Sequence, residues 1–278
     1  MQKKNSVMQI GNRTFHVAEK TYIMGILNLT PDSFSDGGKF NNRDAALKQA
    51  EKMINEGADL IDIGGESTRP GYQKITEEEE IDRTAPIIEL IKNRFDIPVS
   101  IDTYKSRVAL AALQAGADMV NDIWGLKYDP LLAKVIAESG AACCLMHNRD
   151  NMQYQNFMED VKSDLKETIR IARDAGIAED KIILDPGVGF AKTYEHNLEI
   201  ICKLKELGEL GFPVLLGTSR KSVIGIALDL PVEERLEGTL VTTMFGLMAG
   251  CAFVRVHDVL QNKRVVQMAE AVQEGWRA

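Results

Sequence analysis

The chain has 278 residues, 45% hydrophobic and 27% charged, which excludes a disordered chain, a collagen-like fibre and a disulfide mini-protein. Its 33 basic and 41 acidic side chains leave a net charge of −8, and no basic stripe marks a nucleic-acid-binding surface. The polar start MQKKNSVMQIGNR does not read as a signal peptide, and no apolar run approaches the ~18 residues of a membrane helix, so a cytoplasmic protein is expected.

In chain order, residues 8–17 read as a hairpin turning at Gly11-Asn12. Eight short apolar runs follow, at 22–29, 60–64, 99–102, 119–123, 142–146, 182–185, 214–217 and 253–257. Most are nearly continuous, as in parallel strands covered on both faces. Helical periodicity fills the intervals at 44–56, 77–93, 106–115, 130–139, 159–175, 194–207, 233–248 and 263–274. Gly57, Gly116, Gly140, Gly176 and Gly250 supply C-terminal stops, three of them in the repeated GAD, GAD and GAA of 57–59, 116–118 and 140–142. The acidic run Glu77 to Glu80 reads as a solvated first helical turn. Cys143, Cys144, Cys202 and Cys251 lack metal-ligand spacing and read as buried free thiols.

Eight β/α units fit one TIM barrel over residues 1–278, with the hairpin capping its floor. A doubly wound sheet would offer a glycine-rich fingerprint after its first strand, and none appears. In a TIM barrel the active site lies at the C-terminal strand ends. Those ends are consistently polar: Asn28; Gly64-Gly65-Glu66; Asp102; Asn121-Asp122; Met146-His147; Asp185; Thr218 to Ser222; Arg255 and His257. Singly, each has a bland reading as a helix cap, turn residue or core polar group. Together they point to a site.

Arg255 and His257 alternate along one strand, so they are expected to share a face and, with Asn28, to hold an anion. Asp102, Asn121, Asp185 and Lys221 mix donors and acceptors, which suits a flat heterocycle with a guanidine-like edge. The Gly/Ser/Thr/Pro-rich loops after the first two strands read as lids.

Residues 28–38 (NLTPDSFSDGG) and 57–71 (GADLIDIGGESTRPG) resemble the two signature segments of the dihydropteroate synthase family. DPGVGF at 185–190, GTSRKS at 217–222 and RVHD at 255–258 resemble its later motifs. The resemblance implies a TIM-barrel transferase of folate biosynthesis, usually a homodimer. It implies condensation of 6-hydroxymethyl-7,8-dihydropterin diphosphate with 4-aminobenzoate to give 7,8-dihydropteroate and diphosphate. By resemblance, Asp102, Asn121, Asp185 and Lys221 would bind the pterin, in a pocket shaped by Ile123, Met146, Phe190 and Gly217. Asn28 would ligate Mg²⁺, and Arg255 and His257 would join it in holding the diphosphate. Thr68, Arg69, Pro70, Phe190, Lys221 and Ser222 would form the aminobenzoate site, which sulfonamides occupy, with Phe34 and Asp36 closing over it. Asp36, Asp102, Lys221 and Arg255 are the expected catalytic set.

The implied chemistry fits the residues. Diphosphate leaves readily once cations neutralise its charge, and an SN1-like route asks for no base poised on a nucleophile. A pterin-dependent methyltransferase would also use Asp102, Asn121 and Asp185, but would need neither the 219–222 turn nor the 68–70 lid. A non-catalytic pterin-binding barrel would release no diphosphate.

Overall fold

Side chains of a strand alternate between two faces, and the fold follows from where those faces go. The computed structural model describes residues 7–29, 39–66 and 74–277. β1 (Met8–Ile10) and β2 (Arg13–Phe15) pair antiparallel as the expected hairpin. Eight parallel strands follow: β3 (Tyr22–Asn28), β4 (Leu60–Gly64), β5 (Val99–Asp102), β6 (Met119–Asp122), β7 (Ala142–Met146), β8 (Ile182–Asp185), β9 (Leu215–Leu216) and β10 (Phe253–Val256). Their order is β8-β7-β6-β5-β4-β3-β10-β9, and a parallel bridge between Leu184 and Val214 brings the two edges together into a barrel.

The helices are α1 (Lys39–Asn55), α2 (Glu77–Arg94), α3 (Ser106–Gln114), α4 (Leu132–Ser139), α5 (Phe157–Asp174), α6 (Tyr194–Cys202), α7 (Leu204–Gly208), α8 (Ser222–Leu228), α9 (Leu236–Ala249) and α10 (Val259–Arg277). The predicted helix over 194–207 is broken at Lys203 into α6 and α7, and α8 lies in a stretch to which the sequence periodicity assigns no element. No helix among the described residues is long and apolar enough to cross a membrane.

Two apolar clusters show the alternation. Ile61, Ile63, Val99, Ile101, Val120, Cys143, Leu145, Leu184 and Val254 face the helices in the larger one. Met24, Leu60, Met119, Cys144, Ile183, Leu215 and Phe253 pack instead with Met8, Ile10, Phe15 and Val17 of the hairpin segment. The hairpin therefore closes the end where the strands begin, as expected. Phe15 meets Tyr22 edge-on at 4.8 Å and Phe253 at 5.5 Å.

The repeated GAD turns have a defined role. Asp59 accepts the Ile23 N–H at 2.8 Å and pairs with Lys263; Asp118 accepts the Val99 N–H at 2.8 Å and pairs with Lys92 at 2.7 Å. Each carboxylate thus satisfies a backbone donor at the start of a neighbouring strand.

Two readings are corrected. Cys143, Cys144 and Cys251 are buried free thiols, but Cys202 is exposed, because it ends α6 on the face opposite Ile200 and Ile201. Glu77, Glu78 and Glu79 keep to the outside of the first turn of α2, whereas Glu80 is buried. Glu80 begins the inward stripe of Thr84, Ile87, Ile88 and Ile91, and it pairs with Lys105 at 2.8 Å.

Candidate active site

Two residues up each strand from the apolar floor, the barrel interior turns polar. Leu60 gives way to Asp62, Met119 to Asn121, Ile183 to Asp185 and Phe253 to Arg255. Arg255 lies at the centre: its Nε donates to Asp62 Oδ2 and its Nη2 to Asp102 Oδ2, both at 2.6 Å. Asn121 Nδ2 donates to the same Asp62 oxygen at 3.2 Å, and Asp62 Oδ1 is buried without a partner among the described residues. Two carboxylates share one guanidinium. Burial pushes the Asp102 carboxyl above the usual range, Arg255 pulls it down, and Asp62 adds to the net rise.

The opposite wall carries Asp185 and Lys221. Asp185 Oδ1 accepts the Gly187 N–H at 2.6 Å. Gly217 leaves space here: a Cβ on it would stand 3.7 Å from Asp185 Oδ2 and 3.9 Å from Lys221 Nζ. Burial raises the Asp185 carboxyl, with Lys221 opposing, and burial lowers the Lys221 ammonium to about 8 despite the pull of Asp185. Lys221 Nζ donates to the Val188 carbonyl at 2.6 Å and lies 4.8 Å from the Phe190 ring centre. Phe190 packs with Ile123, Met146, Tyr104 and Trp124 in a small apolar cluster of its own. The structure thus brings together a carboxylate pair, an amide, a lysine and an apolar wall within one barrel mouth.

Asn28 ends β3, and a Cβ on Gly64 would stand 3.5 Å from its Oδ1 and 3.9 Å from Asp102 Oδ2. Ser222 begins α8 and is exposed. Arg255 stands within β10, and His257 follows just beyond its last residue. β10 stops at Val256, so the two-residue repeat ends there, and His257 Nδ1 meets Ser219 Oγ at 3.0 Å. Phe34, Asp36, Thr68, Arg69 and Pro70, and with them both predicted lids, lie outside the described residues.

Two buried lysines escaped the sequence reading. Lys105 donates to Glu66 and Glu80 at 2.8 Å and to the Ile75 carbonyl at 3.0 Å, while Tyr104 donates to Glu66 at 2.6 Å. Burial lowers the Lys105 ammonium, and its two carboxylates, Glu66 and Glu80, more than offset this, with a net rise. Lys192 has neutral partners instead: His147 Nδ1 at 2.8 Å and the Gly187 and Phe190 carbonyls at 3.0 Å. Burial takes its ammonium down to about 7, with Asp185 opposing. Asp62, the third omission, was visible as the one polar residue interrupting the apolar run LIDIG.

The family described as pterin binding enzyme matches residues 24–257. The dihydropteroate synthase of Clostridium beijerinckii is 62% identical over 266 residues, covering 95% of this chain and 99% of that protein. This chain belongs to the dihydropteroate synthase family. The crystal structure of the Clostridium difficile dihydropteroate synthase with pteroic acid superposes with a TM-score of 0.90 at 51% identity, covering 92% of this chain and 97% of that one. That of Xanthomonas albilineans with 4-aminobenzoic acid gives a TM-score of 0.92 at 37% identity, covering 97% and 99%. Membership makes the chain a transferase of folate synthesis, and it accounts for both the barrel and the polar mouth.

Proposed function

We propose that this chain condenses 6-hydroxymethyl-7,8-dihydropterin diphosphate with 4-aminobenzoate, releasing diphosphate. The observation that carries the reading is the meeting of Asp102, Asn121, Asp185 and Lys221 at one mouth, beside the wall of Ile123, Met146 and Phe190. Asp185 accepts paired N–H groups from the guanidine-like edge of the pterin, while Lys221 and Asn121 donate to its acceptors. Asp102 stabilises positive charge spread over the ring as the leaving group departs. Arg255 has committed two N–H groups to carboxylates and offers the others to the diphosphate, with His257 beside it. The amine of aminobenzoate then attacks the methylene carbon. Phe190, Lys221, Ser222, Thr68, Arg69 and Pro70 hold that second substrate or a sulfonamide, under Phe34 and Asp36.

Among the described residues no cluster of three or more His, Cys, Asp or Glu side chains could hold a metal ion. Mg²⁺ takes few protein oxygens and completes its shell with water and phosphate, so the single amide oxygen of Asn28 fits an ion carried on the diphosphate. Bound there, it would neutralise charge on the leaving group. We further propose a cytoplasmic homodimer. α9 supports the dimer: Thr239, Thr243 and Leu247 face inward, while Val241, Phe245 and Met248 stand exposed, as does Ile226 of α8. Sedimentation equilibrium at twice the monomer mass checks this.

The test of the site is Asp185→Asn. Calorimetric titration with the pterin should show a loss of about 2–3 kcal/mol, or 30- to 150-fold in affinity. Unchanged affinity would remove Asp185 from the pterin site, and absence of diphosphate release by wild type with both substrates and Mg²⁺ would end the functional reading.

A further inference from the structure

The turn at 187–190 is held between two buried lysines. On the pocket side, Lys221 Nζ donates to the Val188 carbonyl and faces the Phe190 ring. On the other side, Lys192 Nζ reaches the Gly187 and Phe190 carbonyls, the two ends of the same turn. Its third N–H meets His147 Nδ1 at 2.8 Å. That bond fixes the imidazole tautomer: Nδ1 accepts, so Nε2 carries the proton and donates to Asp164 Oδ2 at 2.9 Å. Asp164 also takes Arg149 Nε at 2.5 Å. An ammonium has three donors, and all three are used. Lys192 is 6% exposed and lies behind the turn, so it does not itself line the pocket.

The turn needs such a tie. Gly187 and Gly189 both have left-handed φ, at +70° and +85°, and so does Ala191, at +46°. A chain with three left-handed residues in five has no regular ladder to hold it; the Phe190 N–H closes the turn onto the Gly187 carbonyl at 3.1 Å, and beyond that bond its carbonyls must find donors elsewhere. Tyr154 supplies one to Ala191, and Lys192 supplies the pair at the turn's ends.

We propose that Lys192 is a positioning residue for the pterin and aminobenzoate pocket, holding the 187–190 turn so that the Val188 carbonyl and Phe190 ring stay set against Lys221. This rests on the function proposed above. It also predicts how the effect travels: through Lys221, and not by general loosening of the fold.

The experiment is a double-mutant cycle of Lys192→Met and Lys221→Met, read as affinity for the pterin alcohol and as KM and kcat for 4-aminobenzoate. Lys192→Met should weaken the pterin about tenfold and raise the aminobenzoate KM, while kcat at saturation falls less. Added to Lys221→Met, it should weaken the pterin no further, because the contact it sets is already gone. A merely structural role would give additive losses, and additivity overturns the proposal. Should Lys192→Met fail to fold, His147→Leu replaces it in the cycle, removing one tie and leaving the ammonium. A wild-type chain that neither binds the pterin nor releases diphosphate overturns both readings; a competent wild type with additive variants overturns this one alone.

Discussion

The two ends of the barrel are built from the same strands and opposite chemistry. At the floor, Leu60, Met119, Ile183, Leu215 and Phe253 meet the hairpin and exclude water, with no charge inside the cluster. One pleat higher, Asp62, Asn121, Asp185 and Arg255 occupy the same interior column. Burying such groups is unfavourable unless each is paired, so the mouth gains little stability from its ion pairs and depends on their completeness. The floor holds the barrel together; the mouth uses the resulting rigidity to keep charges where a ligand needs them.

Arg255→Ala and Phe253→Ala, two residues apart on β10, put that contrast to its strongest test. Both should destabilise by about 3–5 kcal/mol, one through uncompensated carboxylates and the other through a cavity. They separate with pH. Without Arg255, Asp62 and Asp102 are left facing each other, and Asp102, already raised, rises further. A carboxylate whose pKa is higher folded than unfolded binds its proton more tightly when folded, so its penalty grows as pH climbs above about 4 and fades below it. Chemical denaturation at pH 4.5 and pH 8 should show the Arg255→Ala deficit shrinking in acid and the Phe253→Ala deficit unchanged. Equal pH dependence of the two would contradict the division between floor and mouth.

Much of this contrast is legible in the sequence, for a geometric reason. A strand repeats every two residues, so an apolar-to-polar change at i, i+2 marks where the interior passes from packing to chemistry, as Phe253-Arg255 and Ile183-Asp185 do. The helix boundaries at Gly140 and Gly250 were legible because a left-handed residue stops a helix. Lys105 and Lys192 were not. A lysine in a loop reads as solvated, and their partners lie far along the chain, Glu66 39 residues and His147 45 residues away. Nor was the inward turn of Arg255 toward Asp62, 193 residues distant, since β10 and β4 come near each other only by flanking β3 on its two sides.

His147 sharpens the comparison at the mouth. Burial drives its imidazole down to about 4, though Asp164 pulls it up, so it stays neutral in the folded state. Unfolded, it takes a proton near the ordinary value of about 6.5. Between those values the unfolded chain binds more protons, so this group's share of stability is complete above about pH 6.5 and is lost as pH falls toward 4. Asp102, Asp122 and Asp185, all raised, act with the opposite sign. The His147 share is therefore read as a difference. His147→Gln copies the neutral tautomer, an acceptor toward Lys192 and a donor toward Asp164, without titrating. From pH 7 to pH 4.5 the wild type should lose on the order of 2–3 kcal/mol more than this variant. Parallel pH curves would mean that His147 is not held neutral.

At the hairpin on the floor, fit rather than charge is at stake. Gly11 has φ +57° at the hairpin turn, and a Cβ there would fall into the Asp118 carboxylate. That carboxylate cannot step aside freely, because its other oxygen accepts the Val99 N–H and Lys92. Gly140 has a similar φ, +66°, at the end of α4, but a Cβ on it meets nothing within 4 Å. The two glycines therefore share the left-handed backbone and differ only in surroundings. Gly140→Ala should lose roughly 1 kcal/mol, the conformational term alone, and about 2 °C in melting temperature. Gly11→Ala should lose about 2–3 kcal/mol, since the displaced carboxylate weakens the start of β5 as well. Combining Gly11→Ala with Asp118→Ala should bring the glycine's own effect down to the Gly140 level, because the obstruction is gone. If Gly11→Ala instead loses the same amount in both backgrounds, backbone conformation alone sets the hairpin turn, and the Asp118 contact contributes nothing to how the floor is closed.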